Sequence, residues 1–155
     1  MTPRYWITGN LIVIAMIILT GFALDYNFNR EPSKIEVEKA PTQAGAVVDV
    51  EYTLKTMTGG SPMMAFVGIG GEIDGLINPA LQASVGEVVK INLLNADPVE
   101  HDLVIDGYNV TTGKLYHFGE QKSVVFQVSE SGEFVYFCSV PGHREMGMEG
   151  RLVVE

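Results

Sequence analysis

From Val47 onward the chain is written in short runs that alternate apolar and polar residues, cut every few positions by Gly, Pro, Asn or Asp. Val124, Phe126 and Val128 alternate with polar neighbours, and Val89, Ile91 and Leu93 repeat the pattern. A period of two turns such residues to one face of a half-buried strand. No segment after residue 25 sustains the 3.6 period of an amphipathic helix. The runs Val47–Thr56, Met64–Ile69, Glu87–Leu94, His101–Ile105, Gln121–Val128, Gly132–Cys138 and Gly150–Val154 therefore predict strands. Ser129–Gly132 predicts a turn between two of them, and Pro79–Ser84 has room for one helical turn. Seven or eight strands in roughly 110 residues predict an all-β domain over residues 47–155, folded as a Greek-key β-sandwich.

Mean hydropathy is +0.18 although 19 acidic residues face 10 basic ones, so the apolarity has to be concentrated elsewhere. Trp6 to Leu24 reads WITGNLIVIAMIILTGFAL, nineteen residues without a charge. A membrane span needs about 20 apolar residues, and Arg4 before the stretch predicts a cytoplasmic start with the remainder exported. Residues 1–25 are thus expected to be an N-terminal transmembrane helix. Gly21-Phe22-Ala23 also fits a small-x-small cleavage site, so a signal peptide that releases the domain to the periplasm stays open. The apolar stretch exceeds the usual signal core of about 7–15 residues, which favours a retained anchor. Residues 26–46 are polar and interrupted by Pro32, Pro41 and Gly45, which predicts a linker; an arm packed on the domain is the alternative.

Removing residues 1–25 takes out one base and one acid, Arg4 and Asp25, leaving the formal net charge of -9 on the exported part. That surplus argues against a nucleic-acid binder, which needs a basic face for phosphates. One cysteine excludes an intrachain disulfide and multi-cysteine zinc sites.

That cysteine opens the text Cys138-Ser-Val-Pro-Gly-His143-Arg-Glu-Met-Gly-Met148. The cysteine closes a predicted strand, and a tight turn at Pro141-Gly142 would bring His143 back to face it. Met148 follows just before the last strand. A thiolate, an imidazole and a thioether from one loop form a soft ligand set. One further imidazole completes the His2Cys site with a weak axial Met that suits blue copper. The two remaining histidines are His101 and His117. His101 begins a predicted strand that could hold it rigidly, whereas His117 lies between turn-like glycines, so His101 is assigned to the metal and His117 to a surface loop. Met146 competes for the axial place, but its shorter spacing would strain the loop. A buried free cysteine is commonly just a small apolar residue; the joint spacing, and the rarity of unused thiols in exported proteins, argue for the metal.

With these residues in view, residues 47–155 resemble a cupredoxin, the type 1 blue copper family. The Cys138, His143 and Met148 spacing is similar to that of rusticyanins. GGEIDGLINP at 70–79, EHDLV at 100–104 and CSVPGHREMGMEG at 138–150 look closer to cupredoxin domains of copper nitrite reductases. The resemblance implies one copper ion with His101, Cys138 and His143 as equatorial ligands and Met148 as axial ligand. Many members place Asn or Ser after the first histidine, where it braces the thiolate loop; this chain has Asp102.

A site of this kind passes single electrons with little rearrangement and leaves no open position for a substrate. Reductases and oxidases with such sites reach a catalytic copper through a histidine next to the thiolate ligand; here the neighbours are Phe137 and Ser139. Three histidines in all, two of them used, cannot build a second histidine-rich site. The expectation is an electron carrier, not an enzyme, with Val140, Pro141 and Met146 as a contact patch around His143. Its partners would be redox proteins such as a cytochrome, an oxidase or a reductase. Two alternatives stay open: a copper-delivery protein using Met57, Met63, Met64, Met146 and Met148, or an electron-donating subunit docked on an oxidase or reductase.

Overall fold

The structure is a computed structural model and describes residues 47–155. The expected anchor and linker, residues 1–46, lie outside the described residues. Among the described residues no helix is long and apolar enough to cross a membrane.

Among the described residues nine strands form two sheets. The first holds β1 (Val50–Thr58), β2 (Met64–Gly68), β4 (Val88–Leu94) and β7 (Gln121–Gln127) in the order β2-β1-β4-β7. The second holds β3 (Ala80–Ala83), β5 (Val104–Ile105), β6 (Val110–Thr111), β8 (Gly132–Phe137) and β9 (Glu149–Val154) in the order β3-β9-β8-β5-β6. β1 runs parallel to β4 and β3 parallel to β9; the other pairs are antiparallel.

The alternation read from sequence is the alternation of burial. Val89, Ile91 and Leu93 of β4 are fully buried, and Val124 and Phe126 sit across from Ile91 and Val89 on β7. They meet Leu81, Ile105, Tyr136, Leu152 and Val154 from the second sheet in one core. The Phe66 and Tyr136 rings cross the interlayer edge to face at 5.4 Å. Each such aliphatic or aromatic side chain contributes about 1.5–3 kcal/mol by leaving water, which is why the sheets stay face to face.

Two expectations are corrected. Pro79–Ser84 holds no helical turn: Ala80–Ala83 is strand β3, its Leu81 and Ala83 buried and its Ala80 and Gln82 exposed. Its backbone groups are satisfied by parallel pairing with β9, far away in sequence. The strand expected to start at His101 is reduced to Val104–Ile105. His101 itself forms an isolated bridge to Leu115, with both backbone N–H groups donating across it at 3.0 and 2.7 Å.

Candidate metal centre

Two chain segments bring the candidate ligands together. Cys138 follows β8 directly, its N–H donating to the Met148 carbonyl at 3.1 Å. The backbone then turns sharply: Gly142 takes a φ of 85°, which glycine adopts without a Cβ penalty, and the His143 N–H donates to the Val140 carbonyl at 3.1 Å. Met148 N–H in turn donates to the His143 carbonyl at 3.0 Å. Cys138, His143 and Met148 are thereby knitted into one loop, and Met148 is wholly buried. His101 arrives from the other side, fixed by its bridge to Leu115.

The Cys138 Sγ lies 3.4 Å from Nδ1 of His143 and 4.0 Å from Nδ1 of His101. The two imidazoles sit 4.9 Å apart between ring centres, and the three donor atoms all lie within 4.8 Å of one another. A trigonal ion with metal–nitrogen bonds of about 2.0 Å and metal–sulfur bonds of about 2.3 Å, the lengths found for zinc, separates N from S by ~3.7 Å. The observed spacings bracket that value, so the three side chains fit one ion with little movement.

The electrostatics suit a soft cation. Burial holds the His101 imidazole below its ordinary value, helped by the nearby His143; burial also lowers His143, helped by Lys114. Both therefore favour the neutral form with a lone pair to give. Burial pushes the Cys138 thiol up to about 11. A cation must displace that proton, and two imidazoles with a thiolate constitute a donor set for copper rather than for magnesium or calcium.

Sequence reasoning assigned His101, Cys138, His143 and Met148 to the metal. The first three converge within the stated distances, and Met148 is held beside them by backbone hydrogen bonds to His143 and Cys138. His117 is exposed in a turn and stands outside the cluster. Met146 and Met63 are exposed, whereas Met64 is packed in the core and Val140 is buried.

The position after His101 was expected to brace the thiolate loop, and two further supporting residues, Asn78 and Asp97, escaped the sequence. Asp102, buried behind the site, accepts from the Ser139 N–H at 2.6 Å and from the Ser139 hydroxyl at 2.5 Å, with Lys114 Nζ 3.8 Å away. The carboxylate so performs the bracing expected of a neutral residue there. Asn78 adopts a φ of 47° and ties β2 to the loop: its Oδ1 accepts from Phe66 N–H and its Nδ2 donates to the Gly147 carbonyl at 2.8 Å. Its only sequence signal is the turn-forming Asn78-Pro79 pair. Asp97 Oδ2 stands 3.4 Å from Nε2 of His101; a carboxylate four residues before a ligand histidine was the available clue.

Comparison with known proteins agrees with this geometry. The profile of copper binding proteins of the plastocyanin/azurin family matches residues 81–155. No curated protein matches the chain. Among solved structures, auracyanin B superposes with a TM-score of 0.56 at 20% identity, covering 71% of this chain and 91% of that one. Rusticyanin from Thiobacillus ferrooxidans superposes with a TM-score of 0.57 at 20% identity, covering 70% and 79% respectively.

Proposed function

We propose that this chain, a cupredoxin in fold with a type 1 copper donor set, carries single electrons between redox proteins on the extracytoplasmic side of a membrane. The observation that carries the reading is the buried His101, Cys138 and His143 cluster with Met148 beside it. Copper, when bound, supplies a one-electron Cu(I)/Cu(II) couple. The protein's part is to hold two imidazoles and a thiolate at fixed spacing, so that little has to rearrange when the charge changes. The β8 end, the His101–Leu115 bridge and the loop hydrogen bonds provide that rigidity.

His143 is 8% exposed and His101 not at all, so the His143 ring edge is the port for electrons. Pro141 and Met146, on the loop that holds it, are exposed apolar residues, surface suited to a docking partner. Val140 is buried and serves the core instead. The stretch 6–24, uncharged throughout, supports a single-pass anchor in the cytoplasmic or plasma membrane with the domain on the periplasmic side.

Copper-loaded full-length protein should show strong thiolate-to-copper absorption in the visible and a reversible one-electron wave. Cys138→Ser should abolish the colour and His117→Ala should leave it unchanged. A colourless protein that surrenders Cu(I) readily would point to copper delivery instead, and a bleached His117→Ala variant would overturn the ligand set. Recovery of the native chain in the membrane fraction checks the anchor.

A further inference from the structure

The loop before His101 is built around a carboxylate aimed at the back of that histidine. Nδ1 of His101 faces the thiol, so Nε2 is the nitrogen left to carry the proton. That nitrogen is fully buried, and among the described residues it has no aligned hydrogen-bond partner. The carboxylate of Asp97 lies 3.4 Å from it. Asp97 is itself buried at 8% exposure, and among the described residues its ion-pair partner is His101.

The Thr56 hydroxyl holds the carboxylate, and the turn that carries it is pinned through its backbone. The Thr56 hydroxyl, buried on β1, donates to Asp97 Oδ2 at 2.5 Å. The Asp97 N–H donates to Asn95 Oδ1 at 3.0 Å, and Asn95 Nδ2 donates to the Val99 carbonyl at 2.9 Å. The Ala96 N–H closes the turn onto the Thr56 oxygen at 2.9 Å. A buried carboxylate is costly without a positive partner, and an imidazole bound to a metal ion carries part of the ion's charge.

We propose that Asp97 is a positioning residue for the metal centre: its carboxylate, anchored by Thr56 on a turn that Asn95 braces, takes the Nε2–H of His101, fixes the tautomer that frees Nδ1 for copper, and favours Cu(II) over Cu(I). A carboxylate behind a ligating imidazole raises ligand basicity, and losing one costs about 10–100-fold in metal affinity. The inference rests on His101 being a copper ligand, as proposed above.

Asp97→Asn keeps an acceptor for Thr56 while removing the charge. In copper-loaded full-length protein the variant should lose about tenfold of the preference for Cu(II), a rise of ~59 mV for a one-electron couple. Thr56→Val, which frees the carboxylate without neutralising it, should shift the potential in the same direction by less. In the native copper-free chain, nitrogen-15 NMR should find the His101 proton on Nε2, far downfield and slow to exchange. A folded, blue Asp97→Asn protein with the native potential would overturn the inference, as would a proton on Nδ1 in the native chain. Should Asp97→Asn not fold, the NMR result on the native chain decides. A native chain that takes up no copper at all would instead sink the copper reading itself.

Discussion

Asp102 is the residue on which the loop carrying the thiolate leans. Its carboxylate takes both donors of Ser139, one position beyond the cysteine, while Lys114 offsets its charge. Asp102→Ala leaves those donors without the acceptor that positions them, and hydrogen bonds to charged groups contribute about 1.5–3 kcal/mol each. The copper-free variant should unfold at lower urea with an unchanged slope, a loss of about 1–3 kcal/mol; an unmoved midpoint would show that water replaces the brace freely. Glu120 offers a second test at this scale. The Tyr116 N–H chiefly, with His117 N–H and Lys122, holds its carboxyl below the ordinary value of 4.5. A lowered folded value means that the contribution is present above 4.5 and is lost as pH falls through the lower one. Stability of the native protein should therefore drop more steeply below pH 4.5 than that of Glu120→Gln, measured by denaturation at stepped pH. The cysteine and His143 were legible because their roles depend on spacing within one loop. Thr56 and Asp97 were not, since a hydroxyl on β1 and a carboxylate 41 positions later become partners only after the sheet has formed.

At the scale of elements, the second sheet is closed by a contact that no alternation pattern announces. Tyr136 on β8 stands directly opposite Gly150 on β9, and a Cβ added at Gly150 would lie 2.2 Å from the tyrosine ring. The ring lies over the bare glycine and sends its hydroxyl to the Pro79 carbonyl at 2.6 Å, beside the start of β3. One aromatic residue thus ties β8, β9 and the entry to β3 together. Gly150→Ala should cost about 1–3 kcal/mol through overpacking, and a Tyr136→Leu background should relieve much of that cost in a double-mutant cycle. Additive losses would mean that the two positions do not compete for the same space. The same contact explains why β3 was invisible in the sequence. Four residues reading ALQA carry little strand propensity, and what makes them a strand is the neighbouring β9, which is formed by the last residues of the chain. Long alternating runs such as β4 and β7 announce themselves because each carries its own buried face; β3 and the two-residue β6 borrow theirs from neighbours.

The whole chain carries a net charge of -9, and among the described residues the basic groups are largely answered where they stand. Lys90 pairs with Glu51, Lys114 with Glu100 and Asp102, Lys122 with Glu120, Arg144 with Glu149 and Arg151 with Glu133. Such exposed pairs contribute little to stability, but they cancel positive charge locally and leave the surplus acids to set the far field. A field of that sign steers basic partners and repels acidic ones. It also acts over a limited range, because at physiological ionic strength the screening length is about 8 Å. Electron transfer from a reduced basic cytochrome, followed by stopped-flow as the blue colour bleaches, should therefore slow as salt is raised from low ionic strength to above physiological. The slowing should appear in the second-order association rate and not in the potential of the copper centre, which is shielded inside the sandwich. A second-order rate indifferent to salt would mean that the apolar surface at Pro141 and Met146 governs docking, and that the acidic surplus serves solubility alone.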